Sequence, residues 1–231
     1  VDAVRDVGYT TVYTENGLTK NQLTVALRGS ATNSKEEAAG YLGGVTGYNT
    51  DTGVLHDTAT GKWFVYCDNG NVDNAVIGGM IGQNESDKDM TNLLNCAAVR
   101  RFNRTVDGTK GNDDTQNSEI KNNISKQHVA NANVGGVIGV QQNRSGDRWS
   151  LTNVVNYGTV HNSRSNNLAG IICLWVDNGG TLEHCFNFGT MRANSNGGGG
   201  SGTMGGIVAL FDKPVAGGTT NLVSCQNHGD M

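Results

Sequence analysis

Two short phrases alternate strictly along this chain, and their alternation restricts what it can fold into more than any other feature. One phrase is an apolar residue, Gly or Ala, Gly, two mostly apolar residues and a small one. It runs from Leu42 to Gly47, Ile77 to Gly82, Val134 to Gly139, Leu168 to Cys173 and Met204 to Ala209. The other is Cys or Val, then x-Asn-x-Gly-x and an apolar residue. It reads VVNYGTV from Val154, CFNFGTM from Cys185 and CQNHGDM from Cys225, with weaker copies opening at Cys67 and Cys96. The second glycines of the first phrase fall at 44, 79, 136, 170 and 206, so their intervals are 35, 57, 34 and 36. The Cys/Val positions are spaced by 29, 58, 31 and 40. Units of this size hold strands too short to enclose a core alone, so each must stack on its neighbours.

Strands at equal positions in successive units then pair in parallel, with a right-handed coil as the favoured hand. The expected fold is all-β, a right-handed parallel β-helix of about five to six coils with inserted loops. Both phrases share one interval near 58, so a long insertion or a worn extra coil falls between Cys96 and Val134. The segment EIKNNISKQ, Glu119 to Gln127, is the candidate for such a coil. Residues 1–40 lack both phrases and read as an N-terminal partial coil or cap, leaving 41–231 as the repeat domain. CQNHGDM opens a unit that does not close, which points to a larger parent polypeptide.

Stacked coils bring equivalent residues to the interstrand spacing of about 4.8 Å. Asn69, Asn156, Asn187 and Asn227 are then expected as one column at a bend, their amides bonding up the stack. Cys67, Cys96, Val154, Cys185 and Cys225 are expected as a second column pointing inward. A position shared by Cys and Val marks a small buried residue, so the thiols read as free. Disulfides between the vertical neighbours Cys67–Cys96 and Cys185–Cys225 are the alternative. The Gly-Gly phrase reads as a strand buried on both faces. Its recurrent small residue (Gly47, Gly82, Gly139, Cys173, Ala209) places something in close contact there, expected to be each unit's own loop.

Composition removes several function classes. The chain has 231 residues, 34 of them Gly and one Pro, with a net charge of −4 from 17 basic and 21 acidic residues. The densest basic run, VRRFNR from Val99, reads as a solvated loop, and a nucleic-acid partner would need a larger cluster. No apolar stretch approaches the roughly 20 residues of a membrane-spanning helix, so no membrane insertion is expected. The histidines show no metal-ligand spacing, and no His or Asn constellation attends any cysteine as a nucleophile would require.

Two groups remain as candidate sites. Asp51, Glu85, Asn143, Asp177 and Asp212 each follow a Gly-Gly strand, where Asp and Asn are ordinary turn residues. If stacked, Asp177 and Asp212 offer either a Ca²⁺ site or a carboxylate pair for sugar chemistry. Tyr157, Phe188 and His228 share the position between Asn and Gly. They form either a packed column or an exposed platform for stacking on sugar rings.

NVGGVIG and CFNFGTM resemble the GLUG-type and related glycine-rich repeats of bacterial secreted and cell-surface proteins, such as adhesins and surface-peptidase stalks. The resemblance covers about residues 40–231. It implies an extracellular location and interaction or display roles, and it defines no catalytic residue. No cofactor is expected, a Ca²⁺ ion aside, and the expected partner is a host or microbial glycan or protein. The expected function is a non-enzymatic module of a bacterial surface or secreted protein, serving adhesion, ligand binding or as a stalk. A polysaccharide-active β-helix lyase or hydrolase, and a phage tail-spike-like receptor-binding segment, are the alternatives. The outward residues beside the corner (Asp68, Ala97, Val155, Phe186, Gln226) make a poor catalytic face.

Overall fold

The computed structural model describes residues 7–15, 18–28, 41–50, 52–61, 64–69, 76–103, 133–142, 148–162, 167–176, 179–193, 202–212 and 219–231. Every regular element among them is a strand, and the strands form four sheets. Sheet I contains Leu18–Arg28, Phe64–Asn69, Ala98–Asn103, Val160–Asn162 and Met191–Ala193. Sheet II contains Tyr41–Gly43, Val76–Gly78, Asn133–Gly135, Asn167–Ala169 and Met204–Gly205. Sheet III contains Thr46–Asn49, Ile81–Asn84, Ile138–Gln142, Ile172–Val176 and Val208–Asp212. Sheet IV contains His56–Ala59, Met90–Asn95, Ser150–Asn156, Gly180–Asn187 and Thr220–Val223, with Gln226–Asn227 also pairing to Gly180–Asn187.

The chain visits the sheets in the order I, II, III, IV and then repeats. Within each sheet, strands of successive rounds pair in parallel. This is a parallel β-helix with five stacked levels among the described residues. Val7–Glu15 adds the one antiparallel pairing among the described residues, a hairpin with Leu18–Arg28, whose other edge pairs in parallel with Phe64–Asn69. The lowest level of sheet I is therefore covered by chain from the N-terminal segment.

The Gly-Gly phrase is two strands and not the single strand its apolar run suggests. It bends at the second glycine and the residue after it, passing from sheet II to sheet III. Each bend is tied to the next by one carbonyl that accepts twice. Met80 N and Ile81 N both donate to Val137 O at 3.0 Å, and Val137 N and Ile138 N donate to Ile171 O at 3.1 and 2.9 Å. The close contact seen at the recurrent small residue comes from neighbouring backbone. A Cβ on Gly139 would come within 2.8 Å of Ile77 O, and one on Gly82 within 2.7 Å of Leu42 N. Gly82 and Gly139 therefore pack on the Gly-Gly strand of the preceding level.

The long interval holds an insertion within one level and no extra coil. Ala98–Asn103 pairs with Phe64–Asn69 on one side and Val160–Asn162 on the other. Asn133–Gly135 likewise pairs directly with Val76–Gly78 and Asn167–Ala169. No level is left between them for a worn coil, and Glu119 to Gln127 lie outside the described residues. The basic run from Val99 is largely strand rather than loop, since Val99 to Asn103 sit in the middle of sheet I.

Sheet IV explains an oddity of the sequence, the spacing of three between inward apolar residues such as Leu151 and Val154 or Leu182 and Cys185. Regular strands alternate with period two. Between each such pair one residue adopts left-handed backbone: Asp57, Asn92, Asn153, His184 and Ser224, with φ from 49 to 58°. Asn, Asp and His are the non-glycine types that tolerate this region best. The extra residue points outward and resets the alternation. The core that results includes Met90, Leu93, Leu151, Val154, Leu182 and Cys185, closed on the other side by Met80, Val137 and Ile171.

Candidate functional site

The corner from sheet IV to sheet I carries the recurrent asparagine. Asn156 pairs in register with Asn95 below and Asn187 above, and Asn187 pairs with Asn227. Their side chains form a ladder: Asn95 Nδ2 donates to Asn156 Oδ1 at 2.8 Å, Asn156 Nδ2 to Asn187 Oδ1 at 2.7 Å, and Asn187 Nδ2 to Asn227 Oδ1 at 2.7 Å. The second N–H of each amide donates to the carbonyl two residues on, at 3.0 Å in every rung. Asn95, Asn156 and Asn187 have no solvent exposure, so burial is compensated by bonds from both ends of the amide.

Thr60 closes the lower end of the ladder. Its hydroxyl donates to Asn95 Oδ1 at 2.7 Å and accepts from Cys96 N at 2.9 Å and Ala97 N at 3.2 Å. The corner glycine is fixed by the corner beneath it: a Cβ on Gly158 would lie 1.9 Å from Ala97 O and 2.8 Å from Asn95 Nδ2, and one on Gly189 2.0 Å from Gly158 O and 2.8 Å from Asn156 Nδ2. At the lowest such corner the residue beneath is Thr60, with a shorter side chain, and Ala97 stands where the others have Gly.

Across the interior the ladder rests against the second glycine of the Gly-Gly phrase. A Cβ on Gly79 would lie 2.5 Å from Asn95 Nδ2, on Gly136 2.6 Å from Asn156 Nδ2, and on Gly206 2.5 Å from Asn227 Cβ. The two phrases alternate because they are two sides of one contact. Each asparagine fills the space that a glycine side chain leaves empty.

Part of the register expected from sequence is corrected by this geometry. Leu93, and not Cys96, pairs with Val154 in the inward column. Cys96 follows Asn95 and occupies the corner position of Tyr157. Cys67 lies in sheet I, paired with Arg101 and Leu27, and Asn69 pairs there with Asn103. The ladder therefore contains Asn95 in place of Asn69. A register set by Cys96 would leave no asparagine at that level to meet Gly79.

The residue between Asn and Gly points outward. Tyr157, Phe188 and His228 come together as a stack, with ring centroids 5.1 Å apart at 14° for the first pair and 5.0 Å at 9° for the second. Tyr157 is 57% and Phe188 42% exposed. The rings face one another along the coil axis, so they turn edges rather than faces to solvent. Stacking on a sugar needs a free face; Phe188 has a ring on both faces, Tyr157 and His228 on one each. Phe188→Ala removes both stacks and is expected to cost about 1–3 kcal/mol, from about 0.5–1.5 per aromatic pair. A melting curve unchanged from the native chain would show that the stack contributes nothing.

Of the carboxylate candidates, Glu85 and Asp212 are among the described residues. Asp212 is exposed and pairs with Val176, one position short of Asp177, which lies outside the described residues together with Asp51 and Asn143. The rungs at this position are Glu85, Gln142, Val176 and Asp212, not a column of like charge. Among the described residues no group of three or more His, Cys, Asp or Glu is placed to hold a metal ion. A further outward ladder was not expected from sequence. Asn92 Nδ2 donates to Asp57 Oδ1 at 2.6 Å and Asn153 Nδ2 to Asn92 Oδ1 at 3.2 Å. The spacing of three in sheet IV was the signal for it.

Four free thiols are described. Cys173 is buried with Sγ 3.8 Å from Asn133 Oδ1, and burial pushes its pKa well up. Cys185 sits beneath Cys225 in the inward column. The Cys225 thiol hydrogen-bonded to it, and then burial, push Cys185 up, while the same contact holds Cys225 down to about 6.

The class these features define is the parallel β-helix with an internal asparagine ladder. Comparison with known proteins returns no match at the level of family models, curated proteins or solved structures. Among the described residues no helix is long and apolar enough to cross a membrane.

Proposed function

We propose that this chain is a non-enzymatic extracellular module of a bacterial surface or secreted protein, a β-helical stalk whose loops meet a host or microbial glycan or protein. One observation carries the reading. Of the four corners, two are short and tied together across the interior, the Gly-Gly bend and the asparagine turn. The chain between sheets I and II varies from four residues (163–166) to 29 (104–132), and that between III and IV also varies. Variation confined to two corners leaves the stack intact while loops of any length leave it in rows, which is how a rigid scaffold carries binding loops. The resemblance to surface-protein repeats supports the location.

Replacing residues 104–132 by a short Gly-Ser linker tests this. The variant is expected to keep the native circular dichroism spectrum and melting temperature within a few degrees. It is also expected to lose at least ten-fold in affinity for the glycan or cell surface that the native chain binds. Release of new reducing or unsaturated ends from a polysaccharide by the native chain would replace this reading with a lyase or hydrolase.

A further inference from the structure

A second amide ladder runs inside the coil, at the corner where sheet III ends, and it stops at a tryptophan. Asn49, Asn84, Gln141, Trp175 and Phe211 pair in register on successive levels. The bonds all run one way. Asn49 Nδ2 donates to Gly53 O at 3.0 Å and to Asn84 Oδ1 at 2.6 Å, and Asn84 Nδ2 donates to Gln141 Oε1 at 2.7 Å. A backbone carbonyl can only accept, so Gly53 O fixes which end of Asn49 carries the N–H groups. That choice passes up the column, with each amide oxygen facing down and each amide nitrogen facing up.

The ladder therefore presents N–H groups to the level of Trp175, whose indole is itself a donor only. Gln141 is 0% and Trp175 1% exposed. Neither Gln141 Nε2 nor Trp175 Nε1 has a hydrogen-bond acceptor among the described residues. The asparagine ladder at the other corner avoids this conflict, because an amide oxygen receives every rung up to Asn227.

We propose that one buried water molecule binds between Gln141 and Trp175, accepting from Gln141 Nε2 and from Trp175 Nε1, and so completes the ladder at its upper end. Enclosed N–H groups in folded proteins are nearly always paired, and internal waters serve those that side chains leave over. Paired residues on neighbouring rungs stand about 4.8 Å apart, a gap that one oxygen bonded at about 2.9 Å to each donor spans. Water suits the position better than an anion, since an ion taken out of solvent forfeits far more hydration than a neutral molecule. The corner is also shut. Trp149 and Trp175 pack with ring centroids 4.9 Å apart at 50°. A Cβ on Gly180 would come within 2.7 Å of Trp149 Nε1 and 2.9 Å of Trp175 Cζ2, so the indoles lie directly on the backbone there. A water held at this corner leaves only when the coil opens. The competing arrangement sets an N–H of Gln141 against the indole face, and it leaves Trp175 Nε1 without an acceptor.

Solution NMR of the folded chain, labelled with an NMR-active nitrogen isotope, tests the site. The indole N–H signal of Trp175 is the one lost in Trp175→Phe; should that variant not fold, contacts to Phe211 identify it in the native chain. It is expected to show a cross-peak to water with the sign of a long-held molecule. A crystal structure is expected to show one rounded density peak within about 2.7–3.2 Å of both nitrogens. An anomalous peak at that point in bromide-soaked crystals would overturn the water in favour of a halide ion. With neither a cross-peak nor a density peak, and the Gln141 N–H signals moved upfield by the ring, the ladder would end on the indole face and the water site would be refuted.

Discussion

Asn156→Ala is expected to lower the unfolding free energy by about 2–5 kcal/mol, among the larger effects a single side chain in this fold can give. The amide accepts from Asn95 and from Gly158 N, and donates to Asn187 and to Gly158 O, all between 2.7 and 3.0 Å. Alanine supplies none of these bonds, and the site is closed to water on every side. A buried polar group left without a partner costs about 1–3 kcal/mol. The Gly158 N–H loses its acceptor, one N–H of Asn95 is left without one, and Asn187 keeps only Gly189 N as a donor. Asn227→Ala is the matching control: its rung is half-buried and only one bond to a neighbouring rung ends there, so a loss near 1 kcal/mol is expected. Urea denaturation gives the totals. Hydrogen exchange should show protection lost in the levels of Asn95 and Asn187 alike, because a stacked coil is stabilised through its neighbours. If Asn156→Ala stayed within about 0.5 kcal/mol of the native chain, the ladder would be a consequence of stacking and not a cause of it.

Much of this was legible because the same corner recurs. VVNYGTV and CFNFGTM differ in the outward residues on either side of Asn yet keep Asn and Gly, and that contrast marks an inward amide and a backbone constraint. Parallel pairing followed, since like strands recur at like positions. The level between Asp57 and Ala97 was not legible. LLNCA carries its Asn before the Cys, so matching Cys to Cys slid the register and drew Cys67 and Asn69 of sheet I into a column of sheet IV. Hydrophobic pattern could not correct the slip, because Leu93 and Cys96 both suit an apolar site. What separates them is the requirement that an amide face Gly79, a contact across the interior that local spacing does not encode. Thr60 was hidden for a related reason: it ends the ladder by chemistry, with a hydroxyl, and not by resemblance. The bend in the Gly-Gly phrase was obscured because both strands it joins are buried, which leaves no polar residue to mark the turn. The acidic positions were displaced by one for want of any side chain fixing their register.

The pairing of glycine with asparagine can be tested directly by a double-mutant cycle. Gly136→Ala is expected to destabilise by about 3 kcal/mol or more, at or above the usual cost of overpacking a core. Its Cβ would meet Gly170 O, which belongs to the neighbouring backbone and cannot swing aside, and would lie 2.6 Å from Asn156 Nδ2. In an Asn156→Ala background the amide is absent and only the carbonyl contact remains. The two changes together should therefore cost less than their sum by about 1 kcal/mol or more, within the range found for side chains in direct contact. The size of the shortfall separates the two obstacles: a small one means the carbonyl dominates, a large one the amide. Strict additivity would mean that Gly136 and Asn156 respond to different neighbours. The alternation of the two phrases would then need another cause, since nothing would oblige a glycine to stand opposite each asparagine.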